Sequence, residues 1–148
     1  MTGDLLMQTD TLPIILVEDD LDDQALIGEI SQTLNPKREI LIFDSGDAAL
    51  EFLLATTQQP FIILCDVNMP RMNGLQLRRE ILNNERLKKK SIPFVFFSTT
   101  AMQKQVTEAF DMVVQGYFEK GNSYDELTFQ LKMIFDYWRD CKHPNIFK

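Results

Sequence analysis

The sequence predicts an α/β fold, five strand-then-helix units wound into a doubly wound parallel five-stranded sheet with helices on both faces. Three observations predict it. Short, continuously apolar runs at Leu12–Val17, Phe61–Cys65 and Pro93–Phe97 have the composition of strands covered on both sides. Helix-spaced segments separate these runs, a repeating order that implies right-handed crossovers and a parallel sheet. Each run also stops at a polar side chain, Glu18, Asp66 or Ser98, which suits the carboxyl ends of such strands, where open α/β sheets bind ligands.

The elements follow in order. After the first run comes the acidic cluster Glu18, Asp19, Asp20, Asp22 and Asp23, then a helix with Leu26, Ile30 and Leu34 four apart, ended by Asn35-Pro36. Ile40–Phe43 reads as a second strand, and Asp44-Ser45-Gly46 caps a helix carrying Ala49, Phe52 and Leu53. The third strand leads to Asp66, and Asn73 caps a helix with Leu77 and Ile81. The charged stretch from Glu85 to Lys90 reads as a solvated loop. Past the fourth strand, Ser98, Thr99 and Thr100 precede a helix with Met102, Val106, Ala109 and Val113 as apolar positions. Val114–Phe118 is the fifth strand. In the last helix Ser123 and Glu126 form a capping box, and Tyr124, Leu127, Leu131, Ile134, Phe135 and Trp138 make one stripe.

With 148 residues and 45% hydrophobic content, the chain suits one domain with one core. Residues 1–11 read as a loose lead-in, 12–140 as the domain and 141–148 as a tail. Lys and Arg total 15 against 22 Asp and Glu, and the resulting net charge of −7 argues against a nucleic-acid reader. Cys65 and Cys141 show no pairing pattern, no apolar run approaches the roughly 18 residues of a membrane span, and the acidic start lacks a basic leader. A reduced, cytoplasmic protein without membrane contact is expected. Cys65 reads as a small buried hydrophobe, and the only histidine, His143, as an inert tail residue.

If the sheet is parallel, Glu18, Asp19, Asp66, Ser98 and Lys120 converge on one edge. Three carboxylates together repel one another and call for a cation, and oxygen-only ligands favour a hard ion that keeps several waters, Mg²⁺. A hydroxyl and an ammonium beside them are donors suited to a phosphoryl group. The site reads as a carboxylate that accepts one.

The motifs VEDD (Val17–Asp20), CDVNMPRMNG (Cys65–Gly74), FFST (Phe96–Thr99) and GYFEK (Gly116–Lys120) resemble, in order and spacing, those of bacterial two-component response-regulator receiver domains. The resemblance spans Pro13 to about Trp138. It is to stand-alone, chemotaxis-regulator-like receivers and most to the small phytochrome-associated ones. It implies the flavodoxin-like strand order 2-1-3-4-5. It further implies that Asp66 is the phosphoacceptor, and that Glu18, Asp19, Asp66 and the Asn68 main-chain carbonyl hold Mg²⁺. Lys120 corresponds to the lysine that binds a phosphate oxygen, Ser98 to the switch hydroxyl and Tyr117 to the switch aromatic. Asn68 and Thr100 occupy positions that tune dephosphorylation. The implied partners are a sensor histidine kinase or phosphotransfer protein and a downstream protein target, and the only chemistry is self-catalysed phosphotransfer and autodephosphorylation.

One departure stands out: Gly121 follows Lys120 where the family has proline. A trans peptide is expected there, with glycine absorbing the altered backbone and Lys120 held less firmly. Two alternatives stay open, a receiver-like module that is not phosphorylated and an aspartyl-phosphate hydrolase. The second is disfavoured because Asn68 stands where such enzymes carry a second Asp. On the last helix, Phe129, Met133 and Tyr137 recur on a flank away from the core stripe, a candidate surface for a phosphorylation-dependent homodimer or for docking.

Overall fold

The structure, a computed structural model, describes residues 11–142. Most of the expected lead-in and tail, His143 included, lies outside the described residues. Along the chain run β1 (Ile14–Val17), α1 (Leu21–Leu34), β2 (Ile40–Phe43), α2 (Gly46–Ala55), β3 (Ile62–Cys65), α3 (Gly74–Asn83), α4 (Glu85–Lys89), β4 (Phe94–Ser98), α5 (Gln103–Asp111), β5 (Gly116–Glu119) and α6 (Tyr124–Asp140). Every strand pairing is parallel and the order is β2-β1-β3-β4-β5, as the resemblance implies. The order reverses beside β1: the chain leaves it outward to β2 and returns on its other side as β3. At such a switch point the loops diverge and open a crevice.

Because successive strand side chains point to opposite faces, each strand feeds two cores. Ile15, Val17, Ile63, Cys65, Phe94 and Phe96 face α2 to α5, where Ala49, Leu53, Leu77, Ile81, Leu87 and Ala109 cover them. Ile14, Leu16, Ile62, Leu64, Val95 and Phe97 face Ile27 and Ile30 of α1 and Leu127, Leu131 and Ile134 of α6. Among the described residues, no helix is long and apolar enough to cross a membrane.

The caps explain why the helices start where they do. Ser45 and Asn73 accept the N–H groups of Ala48 and Gln76, and Gln76 returns the bond to the Asn73 N–H, completing a capping box. The box expected at α6 is only half formed. Ser123 accepts from the Glu126 N–H, but the Glu126 carboxylate turns to the Asn122 N–H at 2.7 Å instead of to Ser123. Tyr124 sits in the first turn of α6, ahead of where the helix meets the sheet, and is exposed, so the buried stripe begins at Leu127. On α1 the core contact is made by Ile27 and Ile30, with Leu26 and Leu34 only partly covered. On α5, Ala109 is buried, whereas Met102 and Val113 lie outside the helix and are exposed. Val113 takes a left-handed backbone (φ 56°), which ends α5. Arg78 holds that turn by donating to the Met112 and Val113 carbonyls at 3.0 and 2.9 Å. Burial lowers the Arg78 pKa to about 10, still charged near neutrality.

The stretch from Glu85 is not a solvated loop. It forms the short helix α4, capped by Asn84, whose side chain accepts the Leu87 N–H at 3.0 Å. Leu87, the one apolar residue within a run of charges, is 2% exposed and sits in the core. Arg86 reaches the Leu53 and Leu54 carbonyls at 3.2 and 2.5 Å, placing a cation on the free carbonyls that close α2. Leu87→Ala should therefore cost about 2–5 kcal/mol, the range for a truncated core leucine, read as a lowered urea midpoint. A cost within about 0.5 kcal/mol would return this segment to the surface.

Candidate functional site

Strand register assembles the site. Val17 and Cys65 are paired across β1 and β3, and one rung later the chain leaves the sheet at Glu18 and Asp66. The last ladder bonds reach past the strands: Glu18 N–H donates to the Phe43 carbonyl and Asp66 N–H to the Val17 carbonyl, both at 2.9 Å. Lys120 N–H donates to the Ser98 carbonyl at 2.8 Å, bringing the end of β5 level with them. One oxygen from each of Glu18, Asp19 and Asp66 lies within 4.8 Å of the others. The expected convergence of strand ends is present.

Each acid is held differently. Glu18 is buried; its carboxylate accepts the Asp20 N–H at 3.1 Å, and its carbonyl accepts from the Gln24 side chain at 2.6 Å. Asp19 is exposed at the rim. Asp66 is buried and accepts the Val67 N–H at 2.8 Å. Its backbone is packed so tightly against the start of α3 that a side chain at Gly74 would collide with the Asp66 carbonyl oxygen, which is why glycine closes the motif there. The cleft, about 600 Å³, is lined by Glu18, Asp19, Asp20, Asp23, Asp66, Asn68, Thr99 and Lys120, among others.

Lys120 is the cation of the cleft. It is buried and donates to Glu18 and, at 2.8 Å, to Asp23 on α1. Asp23 was legible only as one of the acidic cluster; its position four residues past Asp19 was the available signal. Burial pulls the Lys120 pKa down, but its bonds to Asp23 and Glu18 and the charge of Asp66 outweigh this and hold it above the ordinary lysine value. Burial pushes Glu18 up to about 7, against the pull of Lys120 and with the repulsion of Asp66. The Cys65 thiol is pushed well up by burial and by Asp66 and Glu18, consistent with a buried hydrophobe rather than a nucleophile.

Gly121 corrects part of the expectation. The Lys120–Gly121 peptide is trans, with no cis bond among the described residues, yet Gly121 adopts no left-handed backbone. Glycine is needed there for space: a Cβ would lie 2.5 Å from the Glu126 Cβ. Its N–H also donates to Gln130 at 2.9 Å, a bond proline could not make. With two carboxylate partners, Lys120 is held firmly, not loosely.

At the second wall, Ser98 is fully buried and its hydroxyl accepts the Thr100 N–H at 3.4 Å, leaving Thr99 as the hydroxyl that lines the cleft. Tyr117 stacks a tilted ring 5.5 Å from Phe96 and donates its hydroxyl to the Thr100 carbonyl at 2.7 Å. The Asn68 amide donates to the Thr100 hydroxyl at 3.0 Å. Gln105, which sequence reasoning did not single out, contacts both. Phe129, Met133 and Tyr137 stand on α6 away from this site and are exposed, Phe129 by 70%.

A parallel 2-1-3-4-5 sheet with a carboxylate cluster and a buried lysine at its carboxyl edge defines the receiver class of α/β proteins. The response regulator receiver domain profile matches residues 14–132, and the chain belongs to that family. It is 30% identical over 130 residues to response regulator Rcp1 of Synechocystis, covering 84% of this chain and 87% of Rcp1. It is also similar to the phosphorylated cyanobacterial phytochrome response regulator RcpA, with TM-score 0.83, 28% identity and coverage of 90% and 99%. The Mn²⁺-bound form of Rcp1 superposes with TM-score 0.78, 28% identity and coverage of 89% and 97%. The chain is thus a phosphoacceptor-type signalling module related to phytochrome-linked regulators.

The Glu18 environment has a pH consequence. Its folded pKa of about 7 lies above the ordinary glutamate value of 4.5, so between those values the folded chain keeps a proton that the unfolded chain has lost. Stability from this group is full at low pH and is lost as pH rises through about 7. In chelator, the stability of the protein relative to Glu18→Gln should fall between pH 5 and 7.5, measured by urea midpoints. A difference independent of pH would refute the raised value.

Proposed function

We propose that Asp66 accepts a phosphoryl group from the phosphohistidine of a sensor histidine kinase or phosphotransfer protein, and that the phosphorylated chain signals by protein contact. The observation that carries this reading is the meeting of Glu18, Asp19 and Asp66 within 4.8 Å beside the buried Lys120. Residues 12–140 act as the receiver unit, with 1–11 and 141–148 as flanking segments, in the cytoplasm.

The donor set fits a hard divalent ion: three carboxylates whose mutual repulsion a lone lysine does not offset, supplying oxygen ligands only. Glu18, Asp19, Asp66 and the Asn68 main-chain carbonyl would hold Mg²⁺. When bound, the ion neutralises the phosphoryl oxygens and helps align them with Asp66. The chain's own residues do the rest. Asp66 is fixed by the Val67 N–H through one oxygen, leaving the other as nucleophile. As that oxygen bonds to phosphorus, the phosphorus–nitrogen bond to the donor imidazole breaks. Lys120 exchanges a carboxylate partner for a phosphate oxygen. The new charge of about −1.5 to −2 also recruits the Ser98 hydroxyl and pulls the β4–α5 loop inward, with Tyr117 following. Asn68 and Thr100 set how long the acyl phosphate lasts, through autodephosphorylation.

Intact-mass analysis with Mg²⁺ and acetyl phosphate should show a single phosphate adduct that is absent without divalent ion and absent in Asp66→Asn. An adduct retained by Asp66→Asn would move the acceptor elsewhere.

Output is proposed to run through a phosphorylation-dependent homodimer or a downstream protein target docked on α6, since Phe129, Met133 and Tyr137 expose apolar surface there. Phe129→Ser with Tyr137→Ser should abolish any phosphorylation-induced increase in mass seen by light scattering, with helicity unchanged. An increase of undiminished size would place the contact on another face.

A further inference from the structure

Three side chains, of which Asn68 lines the cleft, form a closed ring of hydrogen bonds. Asn68 Nδ2 donates to Thr100 Oγ1 at 3.0 Å, Thr100 Oγ1 donates to Gln105 Oε1 at 3.2 Å, and Gln105 Nε2 donates back to Asn68 Oδ1 at 3.4 Å. Each residue gives one proton and receives one, so both amide orientations and the hydroxyl rotor are mutually determined. Tyr117 abuts the ring, donating to the Thr100 carbonyl at 2.7 Å with its oxygen 3.5 Å from Gln105 Oε1. Asn68 belongs to the β3–α3 loop, Thr100 to the β4–α5 loop and Gln105 to the first turn of α5, so the ring ties together the loops that leave the neighbouring strands β3 and β4.

We propose that Gln105 is a positioning residue for phosphoryl chemistry at Asp66: it holds the Asn68 carboxamide against Thr100, away from the path of the water that hydrolyses the acyl phosphate. This rests on Asp66 being the phosphoacceptor. In that hydrolysis a water oxygen bonds to phosphorus as the bond from phosphorus to the Asp66 carboxyl oxygen breaks. Asp66 regains its carboxylate, and inorganic phosphate leaves carrying both water protons. The attacking water must stand on the far side of phosphorus from Asp66, in the open cleft that Asn68 lines. A carboxamide engaged by Thr100 and Gln105 is turned aside; one released from the ring can hold that water. A neutral hydrogen bond is worth about a factor of five in an equilibrium, which sets the scale of the effect.

Gln105→Met keeps the length of the side chain and removes both ring bonds, and the half-exposed position on α5 leaves the fold intact. In the metal-free, unphosphorylated protein, the Asn68 side-chain amide resonances should shift in Gln105→Met by nuclear magnetic resonance, as they should in Thr100→Val, which opens the ring from its other side. After loading with acetyl phosphate and Mg²⁺ and removal of the donor, the adduct should decay about fivefold faster in Gln105→Met, and the acceleration should vanish in an Asn68→Ala background. Unshifted Asn68 resonances, unchanged or slower decay, or an acceleration that persists without Asn68 would each overturn the proposal. No adduct on the unsubstituted protein would overturn the phosphoacceptor reading, and this proposal with it. A normal adduct whose decay ignores Gln105 overturns this proposal alone.

Discussion

The structure depends on placing like charges together at the end of a rigid sheet. Parallel pairing of β1 with β3 brings Glu18 and Asp66 off adjacent strands at the same level, and neither backbone can move without breaking ladder bonds. The repulsion is therefore a fixed property of the rim, and it is met by concentrating opposite charge. Lys120 is drawn in from β5, three strands away from β1, and made to serve two carboxylates at once. One ammonium against Glu18, Asp19, Asp23 and Asp66 leaves the cleft net negative. A proton on Glu18, whose pKa burial raises to about 7, relieves part of it.

This accounts for where the molecule is rigid and where it is adjustable. Below the rim, two apolar cores fed by alternate residues of the same strands make the sheet a platform. Above it, contacts are polar and mostly partly exposed: the Asn68–Thr100–Gln105 ring, the Tyr117 hydroxyl on a backbone carbonyl, and Ser98 on its own loop. Individual neutral hydrogen bonds contribute about 0.5–1.5 kcal/mol net, so a change of charge at Asp66 can outweigh several of them without disturbing the cores.

Much of this was legible in the sequence because strand burial and strand ends write themselves locally. Ile14–Val17, Ile62–Cys65 and Phe94–Phe97 are continuous apolar runs, and the residues that directly follow them, Glu18, Asp66 and Ser98, stand at the rim where the cleft opens. What was not legible depends on contacts between segments distant in sequence. Leu87 is a single leucine among charged residues, too short a pattern for periodicity to register, yet tertiary packing makes a helix of it. Asp23 becomes a lysine partner only because β5 delivers Lys120 to α1. Gln105 carries no motif, and its place follows from two loops meeting. Tyr124 has the spacing of the α6 stripe but precedes the point at which the helix reaches the sheet.

Gly121 shows how one substitution can be absorbed without loosening the site. A proline after the lysine would set the direction in which the chain leaves β5. Here glycine lets α6 approach until a Cβ could not fit against Glu126, and the freed N–H donates to Gln130, whose own amide donates to the Glu119 carbonyl at 2.8 Å. The two bonds bracket Lys120 from either side in sequence and tie the end of β5 to α6. Positioning that proline would supply through a stiff backbone is supplied instead by a side chain of the following helix. Gln130 holds the backbone of the two residues that flank the lysine, and Glu18 and Asp23 hold its ammonium, so α6 and α1, which share one core, also share the positioning of the charge beside Asp66.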